Sequence, residues 1–309
     1  MTNVALMNTT GFTQNEISEA VSKALDTLNY DLNDKINTII IKPNLCYYWD
    51  YSTGETTDPR VVSAVIDWVR QRTKKEGCIF VAEADASAMM TKYVFKMLGY
   101  EKLSQQKNVK LFNLSGGEII NKEVVVEEEK IILPINKILL NSDLIINVPK
   151  IKYHRTLGFT CALKNMFGAI SKPRKYVYHK HLSNIIVGVN KIIKTNIVLA
   201  DGIIIAGKTP KKIGAIMASD DALVADLVAA RIMGYDPSSI AYLKLAMKEK
   251  IGNIDNINLV GNLKLENIRK ELPNNNYLLQ KLSWKMQLEL LKLYSKMSQD
   301  VIPPILSEA

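Results

Sequence analysis

All three histidines of this chain lie in one basic segment. Between Asp143 and Asp201 there is no Asp or Glu, whereas the segment carries ten Lys and Arg residues together with His154, His179 and His181. The rest of the chain is nearly neutral, because its other 30 basic residues are balanced by 31 acidic ones. A concentrated positive charge that contains imidazoles favours an anionic ligand. The alternative is a solvated basic surface in which the histidines fill gaps.

Two residues of this segment are candidates for catalysis. His154 is a candidate general acid or base, because an unperturbed imidazole has a pKa of about 6.5. Lys164 lies in the apolar stretch Phe159–Gly168, whose pattern predicts a helix containing one lysine. A partly desolvated lysine loses proton affinity and becomes a candidate nucleophile or cofactor anchor. The alternative for Lys164 is a surface lysine whose ammonium reaches solvent.

Four short polar motifs follow predicted strands. They are Lys42-Pro43-Asn44, Glu83-Ala84-Asp85, the run from Lys150 to His154, and Asp201-Gly202. Ligands of parallel α/β sheets bind beyond the carboxyl ends of the strands, so we expect these motifs to meet at one edge. We therefore predict that Glu83 is a catalytic carboxylate and that the substrate is bound by Lys42, Asn44, Lys150, Lys152 and Asp201. Each motif taken alone is more often an ordinary turn.

Metal and cofactor binding are further hypotheses. His179 and His181 would share a face on an extended segment and diverge on a helix. With a carboxylate such as Asp201 they would suit Zn, Fe or Ni. The three cysteines form no CxxC pair, so we expect no iron–sulfur cluster. Sparse cysteines also indicate a reducing, cytoplasmic location.

The elements that must position these residues alternate between strand and helix. Strands are predicted over residues 36–41, 78–82, 109–114, 124–133 (around an acidic turn), 144–148, 197–200, 213–218 and 258–260. Helices are predicted over 16–28, 58–77, 91–98, 220–233 and 238–247. This alternation predicts an α/β fold with a mainly parallel sheet flanked by helices.

The chain is predicted to have an α/β core over residues 1–265, with lobes over 1–145 and 146–265 as one interpretation. A C-terminal helical extension is predicted over 266–309. It contains a long amphipathic helix over 277–297, which would pack on the core or join two copies into a homo-oligomer. A helix that binds a membrane surface is the alternative.

Several classes of protein are disfavoured by what the sequence lacks. No apolar run approaches the ~20 residues that cross a bilayer, and the first residues do not resemble a signal peptide. Glycine-rich phosphate loops of the GxGxxG and GxxxxGK[ST] types are missing. Aromatic residues interleave with the basic ones, which suits nucleic-acid stacking, but no RNA- or DNA-binding signature is present.

Seven ordered motifs resemble the family called domain of unknown function 362. They are IKPN, TDPRVV, INVPKIKYH, ALKNMFGAI, ADGI, SDDALVADLVAARIMGYDP and NLVG, and they run from about Ile41 to Gly261. Some members of that family carry ferredoxin-like cysteine clusters, which this chain lacks.

A more distant resemblance is to the nickel-pincer lactate racemases. It rests on His154, Gly158-Phe159, Lys164 and a histidine at 179 or 181. The resemblance implies that Lys164 is linked covalently to a cofactor, that His181 or His179 binds nickel, and that His154 moves the substrate proton. The racemases also use a histidine from their N-terminal half, where this chain has Glu83 and Asp85 and no histidine.

These observations favour an enzyme that acts on a small carboxylate or phosphate through a Lys/His site. The alternatives are a non-catalytic protein that binds a metal, a cofactor or a partner, and, third, a nucleic-acid binder.

Overall fold

The computed structural model describes residues 2–32, 36–73, 78–154, 156–207 and 210–272. These residues form twelve strands, which are β1 (Thr2–Asn8), β2 (Thr38–Pro43), β3 (Cys78–Glu83), β4 (Lys110–Asn113), β5 (Ile119–Val126), β6 (Glu129–Asn136), β7 (Leu144–Val148), β8 (Lys152–His154), β9 (Gly158–Thr160), β10 (Ile197–Ile205), β11 (Lys211–Ser219) and β12 (Ile257–Val260).

The same residues form ten α-helices, which are α1 (Gln14–Asp26), α2 (Pro59–Arg72), α3 (Thr91–Met97), α4 (Tyr100–Gln106), α5 (Lys137–Leu140), α6 (Ala162–Phe167), α7 (Leu182–Ile192), α8 (Ala222–Ile232), α9 (Ala241–Lys248) and α10 (Leu265–Glu271). Short 3₁₀ helices cover Tyr51–Thr53, Lys175–His181 and Pro237–Ser239.

Eight strands form one large sheet in the order β12-β1-β11-β10-β7-β2-β3-β4. Within this sheet β11 is antiparallel to both of its neighbours, and the other neighbouring strands are parallel. Two hairpins, β5–β6 and β8–β9, stand apart from it. The predicted α/β fold with a mainly parallel sheet and flanking helices is therefore confirmed.

The central strands are apolar because both faces of the sheet are covered. In β2, Ile40 packs into one hydrophobic cluster, which includes α6, α7 and α8. Its neighbours Ile39 and Ile41 point the other way, into a cluster that includes α1 and α2. Strands buried on both faces read as continuous apolar runs, which explains the Thr38–Pro43 sequence TIIIKP.

Side chains at the start of α2 fix the beginning of that helix. The Asp58 carboxylate accepts a hydrogen bond from the Arg60 backbone N–H at 2.9 Å, and Pro59 occupies the first helical position. Both features follow from the sequence, because an aspartate satisfies an N–H that the first turn leaves without a partner and proline has no N–H to satisfy. The loop between β2 and α2 therefore ends at a defined point beside the carboxyl ends of the strands.

Strands β1, β8 and β9 were not predicted, and two of the predicted strands differ in form from the structure. Strand β10 was expected to end at Ala200 but continues to Ile205, so Asp201 lies within a strand. The strand predicted over 124–133 is a hairpin, in which Glu127 and Glu128 form the acidic turn with positive φ values of 48° and 68°. The helix predicted over 277–297 lies outside the described residues, and so does any oligomer contact through it.

The predicted lobes and extension stay predictions. Strands of the large sheet come from both sides of the boundary at residues 145 and 146, which falls within β7. In the part of the chain that the structure describes, no helix combines the length and the apolar character needed to cross a membrane.

Candidate functional site

A cavity of about 490 Å³ lies at the carboxyl ends of β2, β3 and β7. Eight of the residues predicted to form a site line it, which are Lys42, Asn44, Glu83, Lys150, Lys152, His154, Lys164 and His179. Asp201 and His181 are not among its lining residues. The parallel strands therefore bring the separate polar motifs together, as expected from their positions after the strands.

Lys42 and Glu83 form a buried ion pair between the ends of β2 and β3. The Lys42 ammonium lies 2.9 and 3.0 Å from the two Glu83 carboxylate oxygens. The same carboxylate accepts the backbone N–H of Leu45 at 3.1 Å and of Ala84 at 3.0 Å. Since three donor groups already make four hydrogen bonds to Glu83, this carboxylate holds the two strand ends in place and is poorly suited to accept a proton from a substrate.

The approach of α6 to this ion pair leaves little space beside Gly168. A Cβ added to Gly168 would lie 3.0 Å from the Lys42 ammonium nitrogen and 3.2 Å from Glu83 Oε1. The backbone oxygen of Asn165 would also be only 3.0 Å away. Because Gly168 has no side chain, α6 can end directly against the Lys42–Glu83 pair.

Lys150 and Asp201 form a second buried ion pair. The Lys150 ammonium lies 2.8 Å from Asp201 Oδ2, and both side chains are almost completely buried. Asp201 also accepts the backbone N–H of Asp58 at 2.9 Å and of Ile203 at 3.0 Å. The predicted substrate-binding residue Asp201 is therefore behind the cavity wall, where it neutralises Lys150 and joins three chain segments.

Lys152 forms a third pair, closer to solvent. Its ammonium lies 3.0 Å from the Glu55 carboxylate, 2.8 Å from the Glu55 backbone oxygen and 3.0 Å from Cys46 Sγ. Burial by itself lowers the pKa of Lys152, but the Cys46 sulfur and the Glu55 carboxylate outweigh it, so the pKa lies above its ordinary value. The side-chain amide of Asn44 donates to the same Glu55 backbone oxygen at 2.8 Å.

Lys164 projects into the cavity from α6. Its ammonium lies 4.2 Å from the centre of the Phe167 ring, and it has no hydrogen-bond acceptor among the described residues. Burial, with repulsion from Lys152, lowers its pKa to about 8. The predicted helix around a partly desolvated lysine is therefore present, and Lys164 has a minor uncharged fraction at neutral pH that grows as the pH approaches 8.

Polar side chains fix the helix that carries Lys164. Asp226 accepts the backbone N–H of Ala162 at 2.5 Å and of Leu163 at 3.3 Å. The Asn165 amide donates to Asn147 Oδ1 at 2.7 Å, and the Asn147 amide donates to the Ala162 backbone oxygen at 2.9 Å. Short helices have weak intrinsic stability, so these contacts, and not helix propensity, hold Lys164 in place.

Asp226 is itself shielded from solvent. Burial raises its pKa to about 7, against the opposing effect of hydrogen bonds from the Ala162 N–H and the Tyr242 hydroxyl. Burial and the Asp226 charge also raise the pKa of the neighbouring Cys161 thiol well above its usual range. Cys161 is therefore an uncharged, buried residue and a poor nucleophile.

Lys175 also lines the cavity, although it was not among the predicted site residues. Its ammonium donates to the backbone oxygen of Asp85, and it makes no ion pair with a carboxylate in the described part of the chain. Burial lowers its pKa to about 7, an effect that Glu83 opposes. Lys175 follows a loop, not a strand, so the rule based on strand ends could not find it.

The histidines occupy different positions. His154 Nδ1 is 3.3 Å from the backbone N–H groups of Thr156 and Leu157, which makes Nδ1 an acceptor and leaves the proton of the neutral ring on Nε2. His179 lies beside Phe167, with ring centres 6.0 Å apart. Because Lys175–His181 is a 3₁₀ helix with three residues per turn, His181 points away from His179.

In the described part of the chain, the three-ligand group predicted for a metal is not assembled. Among the described residues, no set of three or more His, Cys, Asp or Glu side chains is arranged to hold a metal ion. His179 and His181 point in different directions, and Asp201 is used by Lys150. The residues that the resemblance assigns to a Lys-linked cofactor fit such a group only in part, because Lys164 and His179 line the cavity and His181 does not.

Comparison with known protein families identifies the family of this chain. The family model named Domain of unknown function (DUF362) matches residues 39–231, which is more than half of the chain. The chain therefore belongs to this family, and the resemblance carried by the ordered motifs is confirmed. The matched range contains every predicted site residue.

Two individual proteins are similar to the chain. The Thylakoid-associated protein sll1697 of Synechocystis sp. (strain ATCC 27184 / PCC 6803 / Kazusa) is 26% identical over 227 residues, which are 69% of this chain and 68% of that protein. The lactate racemase apoprotein from Thermoanaerobacterium thermosaccharolyticum is 12% identical with a TM-score of 0.42, over 69% of this chain and 53% of that one. It matches the predicted distant relative, but the chain spans only about half of its length and the similarity does not establish a shared reaction.

Proposed function

We propose that this protein is an enzyme that binds a small carboxylate or phosphate in the cavity, between Lys164 and Lys175. The observation that carries the proposal is the imbalance of charge in the cavity. Three of its lysines have carboxylate partners, whereas Lys164 and Lys175 have none among the described residues. An anion supplies the missing partner for both ammonium groups.

The lowered pKa values of Lys164 and Lys175 support this proposal. Each lysine is held in a site where its charged form is destabilised by burial. A bound anion favours the charged form, so binding raises both pKa values and draws protons from solution. Ligand affinity is then greatest below about pH 7 and decreases as the pH rises through about 8.

The chemistry that we propose uses Lys164 and His154. In its uncharged form Lys164 is a nucleophile, and with a carbonyl substrate its amine would form an imine and release water. His154 presents a protonated Nε2 when Nδ1 accepts hydrogen bonds, so it would act as general acid or base. Lys42, Glu83, Lys150 and Asp201 would form the rigid floor that keeps these groups in position.

The test is isothermal titration calorimetry of the full chain with acetate and with inorganic phosphate. We expect at least one probe to bind at pH 7, with proton uptake that is seen as a dependence on the ionisation enthalpy of the buffer. The Lys164→Met variant should bind at least tenfold more weakly. Lys180 is exposed in the same basic segment, and Lys180→Met is the matched control that should leave affinity unchanged.

Two results would overturn the binding proposal. One is that neither acetate nor inorganic phosphate binds to the folded protein. The other is equal affinity in Lys164→Met and the wild type. If binding is confirmed, turnover is tested by incubating the protein with small oxo acids and reducing with borohydride, and the modified residue is mapped by mass spectrometry. A Lys164 adduct supports the nucleophile role, and an unmodified Lys164 excludes imine formation with those acids.

The predicted Lys-linked cofactor has its own measurement. Extra mass that survives denaturation of protein from its native host, and that maps to Lys164, would support a covalent cofactor. An unmodified mass would exclude that attachment and leave the Lys/His site to act alone.

We also propose a cytoplasmic location, which the three free cysteines support. The name of the cyanobacterial relative describes an association with thylakoids, so the alternative is a protein that attaches to a membrane surface. Fractionation of host cells at low and high salt distinguishes them, because a surface-attached protein sediments with membranes at low salt.

A further inference from the structure

We infer that the substrate of this cavity carries a planar, aromatic part beside its anionic group, and that this part stacks on Trp49. The inference rests on the proposed function, because it extends the same site from the anion to the rest of the ligand. Its evidence is independent of the lysines and comes from the aromatic wall and the size of the cavity.

Trp49 is an exposed aromatic residue on the cavity wall. Its side chain is 53% exposed, although tryptophans are usually well buried. It packs beside Tyr47, with ring centres 5.7 Å apart and an angle of 33° between the rings, and both residues line the cavity. An apolar ring system that is left in contact with water at the wall of a cavity favours a stacking ligand.

The backbone that carries Trp49 is held in place even though its indole is exposed. The buried Thr56 hydroxyl donates to the Trp49 backbone oxygen at 2.7 Å. The neighbouring Tyr48 hydroxyl accepts the backbone N–H of Met90 at 2.9 Å. The indole therefore belongs to a segment whose backbone is already fixed, which reduces the entropic cost of ordering that segment when a ligand stacks on it.

The size of the cavity also exceeds what an anionic group needs. A carboxylate or phosphate takes the place of a few water molecules at ~30 Å³ each, whereas the cavity has a volume of about 490 Å³. Volumes of roughly 300–1,000 Å³ are typical of sites for ligands of many atoms. The lysines account for one end of such a ligand, and the Tyr47–Trp49 wall accounts for an apolar, planar remainder.

The experiment compares matched probes that differ by one aromatic ring. Phenyl phosphate is titrated against inorganic phosphate, and benzoate against acetate, with the full chain at pH 7. We expect the aromatic member of the pair that binds to have roughly tenfold higher affinity. We also expect it to quench tryptophan fluorescence. The Trp49→Ala variant should lose this increment and keep its affinity for the simple anion.

Phe12 provides a matched control. It is 41% exposed and does not line the cavity, so Phe12→Ala should retain the full increment. If Trp49→Ala does not fold, the affinity ratio of the wild type and the quenching signal remain decisive.

The outcomes separate this inference from the proposed function. Lys164-dependent binding of the simple anions with no gain from the ring overturns the inference and leaves the proposed function standing. A gain that persists in Trp49→Ala overturns stacking on Trp49. Failure of all four probes to bind the folded protein overturns both.

Discussion

The lysines of the cavity divide into two groups that share a location but differ in their partners. Lys42 and Lys150 are buried against Glu83 and Asp201, whose remaining lone pairs are satisfied by backbone N–H groups. Lys164 and Lys175 lie in the same cavity and have no carboxylate partner among the described residues. Lys42 and Lys150 have the surroundings of structural residues. Lys164 and Lys175 have the surroundings that we propose for residues that bind an anion.

Lysines that line the same cavity therefore differ in their electrostatic environment. A buried charge is tolerated when a counter-charge and hydrogen bonds surround it, and removing one partner of such a pair is costly. A buried charge without a partner instead moves its pKa toward the neutral form. The pairing of each lysine, and not its presence in the basic segment, therefore indicates its role.

The largest effect is expected for Lys150→Met. This change leaves the Asp201 carboxylate buried without its counter-charge, and we expect the free energy of unfolding to fall by about 3–5 kcal/mol. Urea denaturation at pH 7 measures the loss, with Lys180→Met as the exposed control. A loss below about 1 kcal/mol would contradict the structural role of the pair.

Gly168→Ala should have the next largest effect. The new methyl group would crowd the Lys42–Glu83 pair and the Asn165 backbone oxygen, so we expect a loss of about 1–3 kcal/mol in the free energy of unfolding. Gly116→Ala is the matched control, because the nearest atom to its added Cβ is 3.7 Å away. Equal stability of the two variants would show that α6 does not press against the pair.

The stability of the wild type relative to Lys164→Met should depend on pH. The pKa of Lys164 in the folded protein, about 8, is below its ordinary value of 10.5. Below about pH 8 both states are protonated and the full cost of burying the charge is present. Between about 8 and 10.5 the folded state has lost the proton and the unfolded state retains it, so the stability of the wild type rises relative to the variant.

Chemical denaturation at pH 7.5 and pH 9.5 tests this dependence. We expect a relative gain on the order of 1–2 kcal/mol for the wild type. A difference between the two proteins that stays constant with pH would show that Lys164 is not desolvated in the folded state.

The smallest effect is expected for Glu55→Gln. The Lys152–Glu55 pair is the most exposed of the three, since the Glu55 side chain is 39% exposed. Exposed pairs contribute about 0–1 kcal/mol, so the melting temperature should change by a few degrees at most. A loss of stability as large as that of Lys150→Met would show that the Lys152–Glu55 pair is as important to the fold as the more deeply buried Lys150–Asp201 pair.

Much of the site was predictable because it depends on strand direction. Lys42, Glu83 and Lys150 each follow an apolar run, and the carboxyl ends of parallel strands meet at one edge. Periodicity and helix caps likewise predicted the elements of the α/β fold, including the start of α2 at Asp58-Pro59.

The remainder depends on tertiary contacts that have no local pattern. Glu55 and Trp49 reach the cavity from loops, and Lys175 reaches it from the start of a 3₁₀ helix. The paths of these segments are fixed by hydrogen bonds such as that from Thr56 to the Trp49 backbone. Asp201 was expected just after a strand, yet β10 continues through it to Ile205, and its carboxylate pairs with Lys150 and does not line the cavity. Pairing of charges is set by these contacts, and the sequence alone therefore could not separate the lysines that have a carboxylate partner from those that have none among the described residues.

Asp201 has a consequence for the order in which the molecule is assembled. It bonds the Asp58 N–H, 143 positions earlier in the chain, as well as the Lys150 ammonium. Contacts of such separation form slowly, because long loops must close before the contacts stabilise them. During synthesis on the ribosome, the N-terminal strands emerge before Asp201 has been made, and Lys150 then has no counter-charge. The floor of the cavity therefore cannot be completed until β10 has left the ribosome and paired with β7.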